Sequence, residues 1–128
     1  MDAEGKSPLL VVGVSFLLGS LGALAHIAYS FLPALNAVDV AVFGAIGFVL
    51  ASLYPKRIAL SLAIAAIPAL IEIGFITARI GASALKQGVG VGHVYSFVTI
   101  PLGLALGAIL ARRFSAHRIP RETSGRGV

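Results

Sequence analysis

Four apolar runs alternate with short polar breaks along the chain, each close to the roughly 20 residues that a helix needs to cross a bilayer. The first, LLVVGVSFLLGSLGALAHIAYS, follows Pro8 and gives a span of 8–30; the others cover 38–54, 58–79 (IALSLAIAAIPALIEIGFITAR) and 93–111. This pattern predicts an all-α integral membrane protein, a compact bundle of four antiparallel transmembrane helices spanning 8–111. Residues 1–7 (MDAEGKS) place Asp2 and Glu4 where a secretory leader has its positive region, so the first run reads as a retained helix. Beyond Ala111 the tail 112–128 is basic, contains Ser, Gly and Pro, lacks an apolar stripe, and is expected to be disordered and close to anionic headgroups.

The breaks are tight. FLPALNA at 31–37 reads as a turn with Pro33 and Asn36 as its breakers. Tyr54-Pro55-Lys56-Arg57 leads straight into the third run, since a proline cannot continue one helix but can open the next. Helices joined this closely are expected to be antiparallel neighbours. Residues 80–92 (IGASALKQGVGVG) read as a flexible connector, with an anion nest at glycines 88, 90 and 92 as a minor reading.

Within the runs, small residues recur at helical spacing: Ser15, Gly19 and Ala23 in the first, Gly44, Gly47 and Ala51 in the second, Ser61, Ala65 and Ala69 in the third. The fourth holds Gly103-Leu-Ala-Leu-Gly107, extended by Thr99 and Ala111 at the same spacing. Such ridges let helix backbones approach in lipid, which makes Gly19, Ala23, Gly103 and Gly107 the predicted packing positions. The pattern leaves open whether GxxxG pairs within the chain or between subunits. The partners it implies are membrane lipid, and either a second copy in a homo-oligomer or other helices of a membrane complex.

Composition agrees with a bilayer. The chain is 58% hydrophobic and 12% charged with mean hydropathy +0.98, which leaves no length for a separate soluble catalytic domain. The lack of cysteine removes thiol catalysis, thiolate metal sites and iron–sulfur clusters. A net charge of +5 does not point to nucleic acid here, because the basic residues flank apolar runs or lie in the tail. With four spans, Lys6, Lys56, Arg57, Arg112, Arg113, Arg118, Arg121 and Arg126 share one side and only Arg79 and Lys86 the other, so the positive-inside rule predicts both termini in the cytoplasm of a cell-membrane protein.

This orientation gathers the ionisable residues toward the outer face. At 1.5 Å per residue, Glu72 lies about 21 Å from the inner start of its helix, and an intramembrane carboxyl is costly enough to be a candidate functional group. Arg79 is two turns further on nearly the same face and leans back, predicting an ion pair with Glu72; the competing reading sends Arg79 to the headgroups and leaves Glu72 neutral and silent. Pro68, one turn before Glu72, is expected to kink the helix and free a carbonyl near Ile64. Asp39 reads chiefly as an anion in the first turn of its helix, favoured by the dipole.

His26 and His93, near the outer ends of the first and fourth runs, can serve as axial ligands to haem or, with Glu72, as metal ligands. Neither spacing is a metal motif, so the cofactor is left unknown and haem is a minor reading. No GxSxG, Walker loop or dinucleotide fingerprint occurs, and an enzyme is the less favoured class. The reading is therefore a small multi-pass transporter or channel-like protein, oligomeric, with an outward-facing polar pocket of Glu72, Arg79, His26, His93, Asp39 and Asn36. The alternatives are a non-catalytic membrane subunit or assembly factor, and a haem- or metal-binding bundle.

Overall fold

A computed structural model describes residues 7–30, 32–81, 83, 86 and 91–126, excepting the side chains of 91 and 116–126. Every element formed by these residues is helical. Helix α1 is Pro8–Tyr29, α2 is Leu35–Leu53, a 3-10 turn covers Pro55–Arg57, α3 is Ile58–Ile80 and α4 is Val91–Arg126. Four stretches are long and apolar enough to cross a membrane: Pro8–Tyr29, Leu35–Leu53, Pro55–Ile80 and Gly92–Ser115. Such a chain is a multi-pass membrane protein by length and composition.

Local chemistry sets the helix ends. The Ser7 hydroxyl accepts the Leu10 N–H at 3.3 Å, while Pro8 opens α1 where a missing N–H costs nothing. Gly81 closes α3 at φ 85°, a backbone region that residues with a Cβ rarely enter.

Two boundaries differ from the sequence reading. Helix α2 starts at Leu35 rather than 38, so Asn36 is a helical residue and not a breaker; Pro33 alone is enough to delay the start. Helix α4 continues past Ala111 and Arg112-Arg113 to Arg126, although residues 112–128 read as unstructured. The arginine pair ends the oily run, but arginine is a good helix former and leaves the backbone hydrogen bonds intact. The segment 1–6 and glycines 88 and 90 of the connector lie outside the described residues.

The tightest contacts are not between consecutive helices. Helix α2 packs most extensively on α4, and α1 on α3, whereas α2 and α3 touch little despite the short turn that joins them. Residue numbers rise together along the main seam: Gly103 rests against Val40 and Gly44, and Gly107 against Gly44 and Phe48. The two members of that pair therefore run in the same direction. On the other seam Gly19 meets the Ala65 backbone.

The short turn fixes where α3 begins but not what it packs on. Lipid provides no hydrophobic drive between helices, so partner choice follows from which ridges allow the backbones to close. At Gly19, Gly47 and Gly107 a Cβ would run into the facing backbone, at Ala65, Leu104 and Gly44 respectively. Phe43, Leu50, Ile73, Ile100 and Leu104 fill the centre between the seams, together with Ala23, Ala65 and Ala69. Leu9, Leu17, Leu24, Ile71 and Leu110 point outward, as lipid-facing residues of a membrane bundle do.

Candidate functional site

Three helices each bring polar residues at a spacing of three to one end of the bundle: His26 and Tyr29 on α1, Asn36 and Asp39 on α2, His93, Ser96 and Thr99 on α4. Residues three apart lie on one helical face, so each set forms a short polar strip pointing the same way.

Asp39 is the centre. It is completely buried, as are His26 and Ser96. Its Oδ1 lies 2.8 Å from His26 Nδ1 and accepts the Tyr29 hydroxyl at 2.5 Å. Its Oδ2 accepts the Ser96 hydroxyl at 2.5 Å and the Thr99 hydroxyl at 3.1 Å. Four donors therefore converge on one carboxyl from two neighbouring helices. Burying a carboxylate in hydrocarbon is costly unless its oxygens are satisfied, and hydrogen bonds to an ionised acceptor are the strong ones.

The network continues beyond the carboxylate. His26 Nε2 lies 3.4 Å from Nδ1 of the half-buried His93, with the two rings edge to face at 5.5 Å. Tyr29 meets His26 in the same manner, at 5.5 Å between centroids. Asn36 donates from Nδ2 to the Gly92 carbonyl at 3.0 Å, which ties the start of α2 to that of α4. The result links α1, α2 and α4 through side chains at the end where α2 and α4 begin.

Asp39 is not placed as the sequence suggested. Because α2 begins at Leu35, its first turn contains no acid, and four side-chain donors rather than the helix dipole hold this carboxyl.

Glu72 stands beside this network without joining it. Both carboxyl oxygens are shielded and have no hydrogen-bond partner among the described residues, yet His26 and Asp39 are near enough to interact with its charge. The predicted ion pair with Arg79 is not formed. Arg79 is exposed, and its guanidinium carbon lies 5.6 Å from the centroid of the Phe75 ring, one turn back. Two turns of helix separate Glu72 from Arg79 by about 10 Å along the axis, and Arg79 spends its reach on the nearer ring. Pro68 lies within an uninterrupted α3, one turn before Glu72. Ala23 is buried in the apolar core.

Of the residues expected in one pocket, the structure thus joins His26, Asp39 and His93, brings Asn36 alongside through Gly92, sets Glu72 at electrostatic range and leaves Arg79 outside. Tyr29, Ser96 and Thr99 are the members that the predicted pocket omitted. The three-residue spacing from His26, and from His93, is the signal that points to them.

Among the described residues no group of three His, Asp or Glu side chains is arranged to hold a metal ion. Haem held between His26 and His93 does not fit this arrangement. Axial ligation places iron and its macrocycle between two ring nitrogens, whereas here the facing nitrogens are in direct contact. No family model, curated protein or solved structure matches this chain.

Proposed function

We propose that the chain is a small transporter or channel-like protein of the cell membrane that handles a cation through the polar end of its bundle. Four antiparallel spans with both termini in the cytoplasm would turn that end outward, a topology supported by the eight-to-two distribution of basic residues. A chain this short would enclose a path by associating with further copies. The observation that carries the reading is a buried intramembrane carboxyl, Asp39, joined by hydrogen bonds to an imidazole that in turn meets a second imidazole. Ionisable groups are expensive at this depth, and chains of Asp, Glu and His inside membrane bundles mark ion and proton routes.

Asp39 rather than Glu72 is the proposed cation-handling group, with Glu72 a second carboxyl nearby. The test is flux across proteoliposomes under an imposed potential, with protons, sodium or potassium as the only permeant cation and an entrapped dye selective for the cation in use. Flux that is present in the natural protein and falls at least about tenfold in Asp39→Asn supports the proposal. Equal flux in protein-free vesicles, or unchanged flux in the variant, removes it.

A further inference from the structure

We infer that the Asp39–His26–His93 chain binds a single proton, taken up at Nε2 of His93 and passed to His26. This deepens the transport reading by naming the cation, and rests on that reading only for what the proton is used for.

The donors around Asp39 fix where the hydrogens of the two rings lie. Tyr29, Ser96 and Thr99 each present a hydroxyl to the Asp39 carboxyl, Ser96 at 2.5 Å in preference to the Gly92 carbonyl that its oxygen also faces at 3.2 Å, and His26 presents Nδ1. A carboxylate offers about four acceptor positions and no donor, so the ionised form satisfies all four contacts when Nδ1 of His26 carries hydrogen. A neutral His26 then has a bare Nε2. The 3.4 Å contact with His93 becomes a hydrogen bond only if Nδ1 of His93 is the donor. This leaves Nε2 of His93 bare as well. It is the one nitrogen of the two rings without a hydrogen-bond partner among the described residues, and it belongs to the ring that is half-buried rather than fully buried.

The transfer balances without a co-reactant. An incoming proton forms an N–H bond at Nε2 of His93. The hydrogen on His93 Nδ1 crosses the contact, breaking its bond there and making one at Nε2 of His26. The result is a neutral His93 with its hydrogen on Nε2, and an imidazolium at His26 with both nitrogens protonated.

The surroundings favour that second seat. Asp39 from α2 touches His26, Glu72 from α3 lies within electrostatic range, His93 from α4 is neutral after the transfer, and Tyr29 on α1 itself is a neutral phenol. Before uptake, Asp39 is a buried charge balanced by hydrogen bonds alone. After uptake it belongs to an ion pair, the form in which buried charge is best tolerated.

Ring nitrogen NMR on the full chain, labelled with 15N-histidine and held in phospholipid nanodiscs, tests this directly. At neutral pH both His26 and His93 should carry their hydrogen on Nδ1. On acidification the imidazolium signal should appear first on buried His26, although His93 is the more accessible ring, and in Asp39→Asn it should move to His93. Should that variant fail to fold, Thr99→Val keeps the carboxylate and must retain the natural order. A neutral His93 with hydrogen on Nε2, or protonation of His93 before His26 in the natural protein, overturns the relay. The expected spectra without flux would overturn transport alone, whereas flux with the wrong tautomer would overturn the relay alone.

Discussion

Gly107 of α4 lies so close to the carbonyl oxygen of Gly44 in α2 that a methyl group at 107 would overlap it. Gly107→Ala should therefore push the two helices apart and cost about 1–3 kcal/mol, as overpacking of a tight contact does. Gly13→Ala and Gly74→Ala, where nothing lies within 4 Å of the added Cβ, should leave stability unchanged or slightly raised. Denaturant unfolding in a single detergent would separate these outcomes, and equal losses at all three positions would contradict the packing described.

The Asp39 carboxyl accepts the Ser96 and Thr99 hydroxyls on the same oxygen, at 2.5 and 3.1 Å. Removing a hydrogen bond to a charged group costs about 1.5–3 kcal/mol. Ser96→Ala should fall in that range and Thr99→Val toward its lower end. In an Asp39→Asn background either loss should shrink by more than about 0.5 kcal/mol, since residues of one network do not contribute independently.

The two intramembrane carboxyls should respond in opposite ways to the loss of charge. Asp39→Asn places an amide donor among four donors and should lower stability by about 3 kcal/mol or more, since it weakens several hydrogen bonds to a charged group that are worth about 1.5–3 kcal/mol each. Glu72→Gln breaks no hydrogen bond among the described residues and removes a shielded carboxyl, so stability should hold or rise. Thermal midpoints of the two purified variants are the measurement, and a larger loss at 72 than at 39 would reverse their roles.

Arg79 and Glu72 should behave as independent residues. Exposed Arg79 sits over Phe75, and the effects of Arg79→Gln and Glu72→Gln should add to within about 0.5 kcal/mol. A coupling well above that value in the double variant would restore the ion pair that the spacing alone suggested.

Titration with hemin tests the contact between the imidazoles. Because His26 and His93 meet directly, added hemin should give no low-spin bis-histidine spectrum in the natural protein. A saturable Soret shift lost in both His26→Ala and His93→Ala would show that the rings separate to admit the macrocycle.

The spans were readable because a bilayer asks for one simple property, some twenty apolar residues, and four runs supply it. That Gly103 and Gly107 share one helix face was readable from their spacing for a similar reason. Their partner was not, since every helix of this chain carries a small-residue ridge and the ridge pattern does not say which two will meet. The site was legible in its rare residues, His26, Asp39 and His93, but not in its common ones. Serine and threonine often bond their own helix backbone, as Ser52 does to the Phe48 carbonyl, so nothing about Ser96 or Thr99 taken singly marks them as donors to a carboxylate. The pairing of Glu72 with Arg79 failed for another reason. It assumed the long side chain would seek the charge, and a ring one turn nearer was within easier reach.

The pairing of α1 with α3 and of α2 with α4 also governs the order in which the protein can assemble. Each helix meets its principal partner only after an intervening span has been made. When α2 enters the membrane, the faces of Gly44 and Gly47 that later receive α4 still meet lipid, and the hydroxyls that will surround Asp39 from Ser96 and Thr99 do not yet exist. The glycine seam and the polar network both include α4, so neither is complete until the final helix is in place. A nascent chain stalled before residue 91 therefore holds an intramembrane aspartate lacking two of its four donors, a feature that membrane quality control could recognise as unfinished.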